Sequence, residues 1–311
     1  MQWIEVYEAH PKVIYIFIAN LVASILTFMA FIPILLKFRL GIDKGLLKKM
    51  LKYGLPIMIA GLAYATNENL DKLLIGNMLD KDSMGIYAAV YKIGVFMSLY
   101  VTAFKLGAEP FFFSTHKDEN AKEQYAKILL WFTILGAIFL VGIMAFLNII
   151  SHLLIGQNVY LKALDIVPVI LTAYLLFGVY NNLSVWYKLT DKTRYAMYLS
   201  VMGAIITIVF NILMIPKIGY MASAWATLAA YGSMTLVSYY LGNKHYKVPY
   251  ETGKIIFYVL SAGLTGWLMH AYFSEQLAIK IGILLLYAGM ILILERKEIK
   301  QVIHPEKTDK Q

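Results

Sequence analysis

The stretch "YATNENLDKLLIG", Tyr64 to Gly76, sets Asn67, Glu68, Asn69, Asp71 and Lys72 almost side by side within a long apolar run. The residues before it, "GLPIMIAGLA" (Gly54 to Ala63), are apolar enough to enter a bilayer. Polar side chains in the middle of such a run are costly and must face water, a partner or one another. Whether the surrounding chain is a membrane protein therefore decides how this cluster is read.

The composition answers that question: 60% of the 311 residues are hydrophobic and only 15% are charged. Runs of about 20 apolar residues recur along the chain, each long enough to cross the hydrocarbon core as a helix. The runs are continuous and do not alternate, which excludes a barrel. The expected fold class is all-α, a polytopic membrane protein. The chain has no cysteine, which removes disulfides, thiolate chemistry and cysteine metal sites. The six histidines, His10, His116, His152, His245, His270 and His304, have no metal-ligand spacing, so no metal site is expected.

Nine spans follow from the apolar runs and polar breaks: about 12–36, 53–79, 84–106, 126–150, 163–187, 195–215, 220–242, 254–273 and 277–294. Basic residues orient them. Twenty of the 28 lie on one side, from Lys37, Arg39 and Lys44 through Lys117, Lys188 and Lys244 to the tail Arg296–Lys310. Five lie on the other, Lys12, Lys81, Lys162, Lys217 and Lys280, and Lys72, Lys92 and Lys105 lie within spans. Cytoplasmic loops are enriched in Lys and Arg, so the rich side and the C-terminus are placed in the cytoplasm. The net charge of +9 thus has a topological origin. It predicts contact with anionic inner-leaflet lipid and no nucleic-acid partner. Nine spans with an inside C-terminus put the N-terminus outside, although "MQWIEVYEAHPK" shows no cleavable signal. The opposite turns, "DKDS", "PKIG" and "SEQ", are short, and only "SHLLIGQNVYLKALD" has room for an interfacial turn.

Within the second span, Glu68 and Lys72 are spaced i,i+4, as are Asn67 and Asp71, so one polar sector runs over two adjacent faces of a helix. One reading is a cavity wall: counter-charges for an amphiphilic substrate, with Glu68 or Asp71 coupling transport to protons or sodium. The other is that Asp71 and Lys72 snorkel outward while Glu68 pairs with Lys72. In the third span Lys92 lies about two to three turns from the outer end, too deep for easy snorkelling. It is a candidate to neutralise a phosphate, or to pair with Glu68. Asn181 and Asn182 in "FGVYNNLSVWYK" are weaker candidates, explained as well by interhelical hydrogen bonds. The tyrosines near span ends read as interfacial belts. Pro33 and Pro56 sit inside spans as candidate kinks.

The run "YGLPIMIAGLAYATNENLDKLLIGNMLDKDSMGIYAAVYKIG", Tyr53 to Gly94, resembles the first two helices of the C-terminal lobe of polysaccharide and oligosaccharide flippases. These belong to the multidrug/oligosaccharidyl-lipid/polysaccharide (MOP), MATE-like, superfamily. "YKLTDKTRYAMYLSVMGAIITIVFNILMIPKIGYMASAWAT", Tyr187 to Thr227, resembles a later helix pair of the same lobe. The resemblance runs from about Leu46 to the end.

It implies two six-helix lobes around a cavity plus two extra helices, with the nine spans here as the sixth to fourteenth and most of the first lobe lacking. On that template residues 1–45 hold one span and a basic linker, 46–245 the six-helix lobe, 246–295 two further helices and 296–311 a basic tail. The implied function is flipping of undecaprenyl-pyrophosphate-linked oligosaccharide units for cell-surface polysaccharide in a bacterial inner membrane. No enzymatic step and no bound cofactor are implied. The implied partners are lipid-linked oligosaccharide, membrane lipids, a polysaccharide polymerase and glycosyltransferases. Cation-coupled export of small molecules, or a half-protein that does not transport, are the alternatives. A membrane-bound glycan polymerase would need a large catalytic outer loop, which these short turns do not supply.

Overall fold

A computed structural model describes residues 14–37, 41, 43–155 and 158–303. The expected start of the first span at residue 12, the opening stretch and the tail beyond Ile303 lie outside them. The described residues are mostly helical, without a strand. The helices are α1 (Ile14–Leu35), α2 (Lys44–Met78), α3 (Lys81–Thr115), α4 (Ala121–Ala145) and α5 (Leu147–Ile155), followed by a 3-10 segment, Asn158–Ile166. Then come α6 (Val167–Leu183), α7 (Val185–Leu189), α8 (Arg194–Ile218), α9 (Met221–His245), α10 (Thr252–Phe273), α11 (Leu277–Leu294) and α12 (Arg296–Ile303).

Among the described residues seven segments are long and apolar enough to cross a membrane: α1, α3, α4, Val159–Leu189, α8, α10 and α11. The protein is a multi-pass membrane protein. The other two expected spans, in α2 and α9, are long enough at 35 and 25 residues but more polar. In α2 the Asn67–Lys72 cluster interrupts the apolar run. In α9 the small polar residues Ser223, Thr227, Thr235 and Ser238 are buried, the usual composition of a close helix–helix contact in a membrane. Two expected spans are broken: α4 stops at Phe146, and α6 stops at Ser184 before the short α7. The expected tail begins with a helix, α12.

Local sequence explains the turns that set the helices in place. Asp80 caps α3, its carboxylate accepting from the Ser83 backbone N–H at 2.6 Å and the Ser83 hydroxyl at 2.9 Å. Those bonds hold its carboxyl below the usual carboxylate range. α8 ends at Gly219 with φ 62°, a conformation that costs a residue with a Cβ, and this turns the chain directly into α9.

The chain divides into two compact units, residues 1–51 and 52–311. In the first, α1 buries none of its residues. In the second, α6 is the central helix, packed on α9, α3, α4 and α10, while α8 lies against α9 and α11 against α4. The core is apolar around α6, with Phe132, Ile134, Leu140, Leu171, Tyr174 and Leu175 buried. At Gly178 a Cβ would come within 2.2 Å of the Phe132 ring, so glycine allows the close approach of α6 to α4. The many exposed leucines and isoleucines on α8, α10 and α11 suit a lipid solvent.

Candidate functional site

The polar cluster fastens α2 to the rest of its unit. Only four residues of α2 are buried, and two of them are Asn67 and Asp71, the reverse of a helix held by an apolar face. The backbone of α2 makes no extended close approach to another helix, so long side chains bridge the gap. The i,i+4 spacing of Asn67 and Asp71 puts both on one face of α2, and that face is turned to the bundle.

Glu68 is the hub. Its carboxylate accepts from the Tyr174 hydroxyl on α6 at 2.6 Å and the Tyr231 hydroxyl on α9 at 2.5 Å. The Tyr91 hydroxyl on α3 adds a longer bond at 3.3 Å and lies 2.8 Å from that of Tyr174. Three helices thus point phenols at one carboxylate. Glu68 is partly buried; withdrawing a carboxylate from water is costly, and each bond to a charged group returns about 1.5–3 kcal/mol. The phenols are what make that position tenable for an acid.

Asp71 is fully buried and accepts from the Tyr87 hydroxyl of α3 at 2.5 Å and from the Lys72 backbone N–H at 2.7 Å. It does not snorkel. The Lys72 ammonium donates to the backbone carbonyl of Glu68 at 2.5 Å and not to its carboxylate. It stands 4.3 Å from the centre of the Tyr91 ring, a cation–π arrangement, and 4.0 Å from Asp71 Oδ1.

Asn67 extends the network to α8 and α9. Its Oδ1 accepts from the Thr207 hydroxyl. Asn211 then donates to the Thr207 carbonyl at 2.9 Å, and the Ser223 hydroxyl donates to Asn211 Oδ1 at 2.6 Å. All four side chains are buried. Asn69 is exposed and turns back to the Ala65 carbonyl.

Lys92 is not part of this cluster. The buried residues of α3, Tyr87, Val90, Tyr91, Ile93, Gly94 and Met97, fix the helix phase and leave Lys92 exposed on the far face. Among the described residues it makes no hydrogen bond or ion pair, so the alternative of a Lys92–Glu68 pair is not realised. Asn181 and Asn182 donate to the carbonyls of Phe177 and Gly178 in their own helix, both at 3.0 Å, away from the α2 cluster.

The tyrosines are what sequence reasoning missed. Tyr174 and Tyr231, in the middle of the expected spans 163–187 and 220–242, are buried and were not among the candidates. For Tyr87 and Tyr91 a local signal exists: α2 and α3 form a hairpin about Leu79–Asp80, and stepping back and forward by nearly the same number of residues brings 71 to 87 and 68 to 91.

Residues 12–106, which include α1, α2 and most of α3, match the family model described as "Polysaccharide biosynthesis protein". Two solved structures share the fold. One is an outward-facing multidrug resistance MATE family transporter of the MOP superfamily. The other is a MOP superfamily transporter from Pyrococcus furiosus, for which a reversed polarity of the binding pocket is taken to suggest a different function. Each is 17% identical with a TM-score of 0.56, over 70% of this chain and 51% of the other. The chain therefore has the MATE-like fold of MOP transporters, and it spans about half the length of the solved structures it matches. No curated protein matches its sequence.

Proposed function

We propose that this protein acts in the translocation of lipid-linked oligosaccharides for polysaccharide biosynthesis, as a flippase or one lobe of it. In this reading it moves undecaprenyl-pyrophosphate-linked repeat units from the inner to the outer leaflet of a bacterial inner membrane, its C-terminus in the cytoplasm. The match of residues 12–106 to a polysaccharide biosynthesis family and the MATE-like fold support the reading. One observation carries it: α2 is held by a polar array around the partly buried Glu68 and the buried Asp71, not by an apolar face. A helix attached by hydrogen bonds that can be exchanged one for another suits a fold that alternates between two arrangements.

The contacts of Glu68 and Asp71 support the roles proposed for them. Glu68, ringed by phenols, is the proposed coupling acid: a proton or sodium ion arriving there changes which of the three helices it binds, and Asp71 backs it. The exposed and unbonded Lys92 is the proposed contact for the pyrophosphate, with Lys72 as a nearer positive charge. No bond is made or broken in the substrate, and no bound cofactor takes part. The phenol-ringed Glu68 also suits cation-coupled export of small molecules, and Lys92 separates the two readings, because an anionic headgroup needs it and a cationic drug does not.

The test is translocation of a polyprenyl-pyrophosphate-linked oligosaccharide in proteoliposomes. Lys92→Ala and Asp71→Asn should each lower the rate at least about tenfold, the effect of losing about 1.4 kcal/mol, in protein that remains folded. Unchanged rates in both variants would rule out these roles.

A further inference from the structure

An apolar groove runs along the side of the bundle from the end away from the basic loops, where α6 and α9 begin and α10 ends. Both α9 and α10 pack on α6, and the groove, of about 950 Å³, lies between them. Pro168 and Thr172 of α6 form its floor, with Trp225 and Leu228 of α9 on one wall and Leu260 and Leu264 of α10 on the other. The Thr172 hydroxyl donates to the Pro168 carbonyl at 2.7 Å, so the floor offers no free donor and suits hydrocarbon. Leu260 and Leu264 are exposed, which leaves the groove open sideways, toward the acyl chains of a bilayer. From Val259 to His270 the α10 wall rises about 16 Å at about 1.5 Å per residue. That is the depth of one leaflet, half of a hydrocarbon core about 30 Å thick.

The chemistry changes at the mouth. There the His270 imidazole is bound through Nε2 to Asp165 Oδ1 at 2.7 Å, and the Asp165 side chain is still 69% exposed, which leaves its second oxygen as an acceptor. The indole N–H groups of Trp225 and Trp267 and the Ser274 hydroxyl, which line the same groove, make no hydrogen bond among the described residues. Lys162, three residues before Asp165, does not line it. Read outward, the groove thus offers an apolar trough, then indole donors at the depth where tryptophan meets ester and phosphate oxygens, then a hydroxyl and a carboxylate. A glycerophospholipid with an ammonium headgroup presents the complementary series: an acyl chain, ester and phosphate acceptors, and a cation that donates hydrogen bonds. An anionic headgroup would meet the like charge of Asp165.

We propose that this groove seats one phosphatidylethanolamine molecule, an acyl chain lying on α6 between α9 and α10 and the ammonium at Asp165. The site is separate from the α2 array, and the inference does not depend on the flippase reading. The experiment is native mass spectrometry of the full chain released from micelles that contain equal amounts of phosphatidylethanolamine and phosphatidylglycerol. One retained phosphatidylethanolamine per chain is expected, favoured at least fivefold over phosphatidylglycerol. Asp165→Asn keeps an acceptor for His270 and removes the charge, so lipid should still be retained but without the preference. Leu264→Trp sets a large ring on an exposed wall of the groove and should lower retention of both lipids at least tenfold. Equal retention of the two lipids by the unaltered chain overturns the proposal, as does a preference untouched by Asp165→Asn or retention untouched by Leu264→Trp in protein of unchanged helix content. Displacement of phosphatidylethanolamine by an equal amount of polyprenyl phosphate would make the groove a substrate-tail site and also overturns it. So does a lipid-free dimer that Leu264→Trp dissociates. Because the readout is lipid retention, it can fail while translocation and its dependence on Glu68 stand.

Discussion

Replacing Tyr87 by Phe deletes one oxygen and nothing else, and the structure says what that oxygen does. Asp71 is fully buried, and its two oxygens accept from two donors, the Tyr87 hydroxyl at 2.5 Å and the Lys72 N–H at 2.7 Å. Without the hydroxyl one carboxylate oxygen is left buried and unbonded. Hydrogen bonds between neutral side chains on transmembrane helices average about 0.6 kcal/mol by double-mutant cycles, with a maximum near 1.7. A bond to a charged acceptor is worth about 1.5–3 kcal/mol. Tyr87→Phe should therefore destabilise the fold by about 2 kcal/mol. A cycle with Asp71→Leu should give a coupling of at least about 1.5 kcal/mol, because the double variant removes both the donor and the charge that needs it. Reversible unfolding in mixed micelles, followed by circular dichroism, measures all four proteins. A coupling at or below about 0.6 kcal/mol would refute the view that α2 is fastened through a charged acceptor.

Two further outcomes test the packing. Gly178→Ala places a Cβ 2.2 Å from the Phe132 ring and 2.9 Å from Val101, and should cost about 1–3 kcal/mol of stability in the same unfolding assay. Lys254→Met removes the ammonium that holds the buried Glu295 at 3.0 Å and leaves that carboxylate to Tyr258 alone at 2.6 Å. The loss should be about 2 kcal/mol, less than the 3–5 of a fully buried pair, because Lys254 is partly exposed. Glu295→Gln in the Lys254→Met background should recover much of it.

The positions of the helices were largely legible in the sequence, because in a bilayer an apolar run and a span are nearly the same thing. The polar sector of α2 was legible too: the i,i+4 spacing of Asn67 and Asp71 places both on one face, and that face is the buried one. Two things were not. The partners of Glu68 lie at residues 174 and 231, and no local spacing announces a contact across that separation. Mid-span position sets Tyr174 and Tyr231 apart from a belt, but a buried phenol does not say which acceptor it meets. For Lys92, depth within the span was readable but azimuth was not, because α3 is apolar on most faces and its phase is set by packing against α6.

The most direct test of the central claim is the rate at which the protein in proteoliposomes brings a polyprenyl-pyrophosphate-linked oligosaccharide to the opposite leaflet, with and without Glu68→Gln. The proposed role of Glu68 predicts protein-dependent translocation driven by an imposed proton or sodium gradient, and loss of that drive in the variant while lipid-linked substrate still binds. Translocation no faster than in protein-free liposomes, or equally gradient-driven with Gln at position 68, would contradict it.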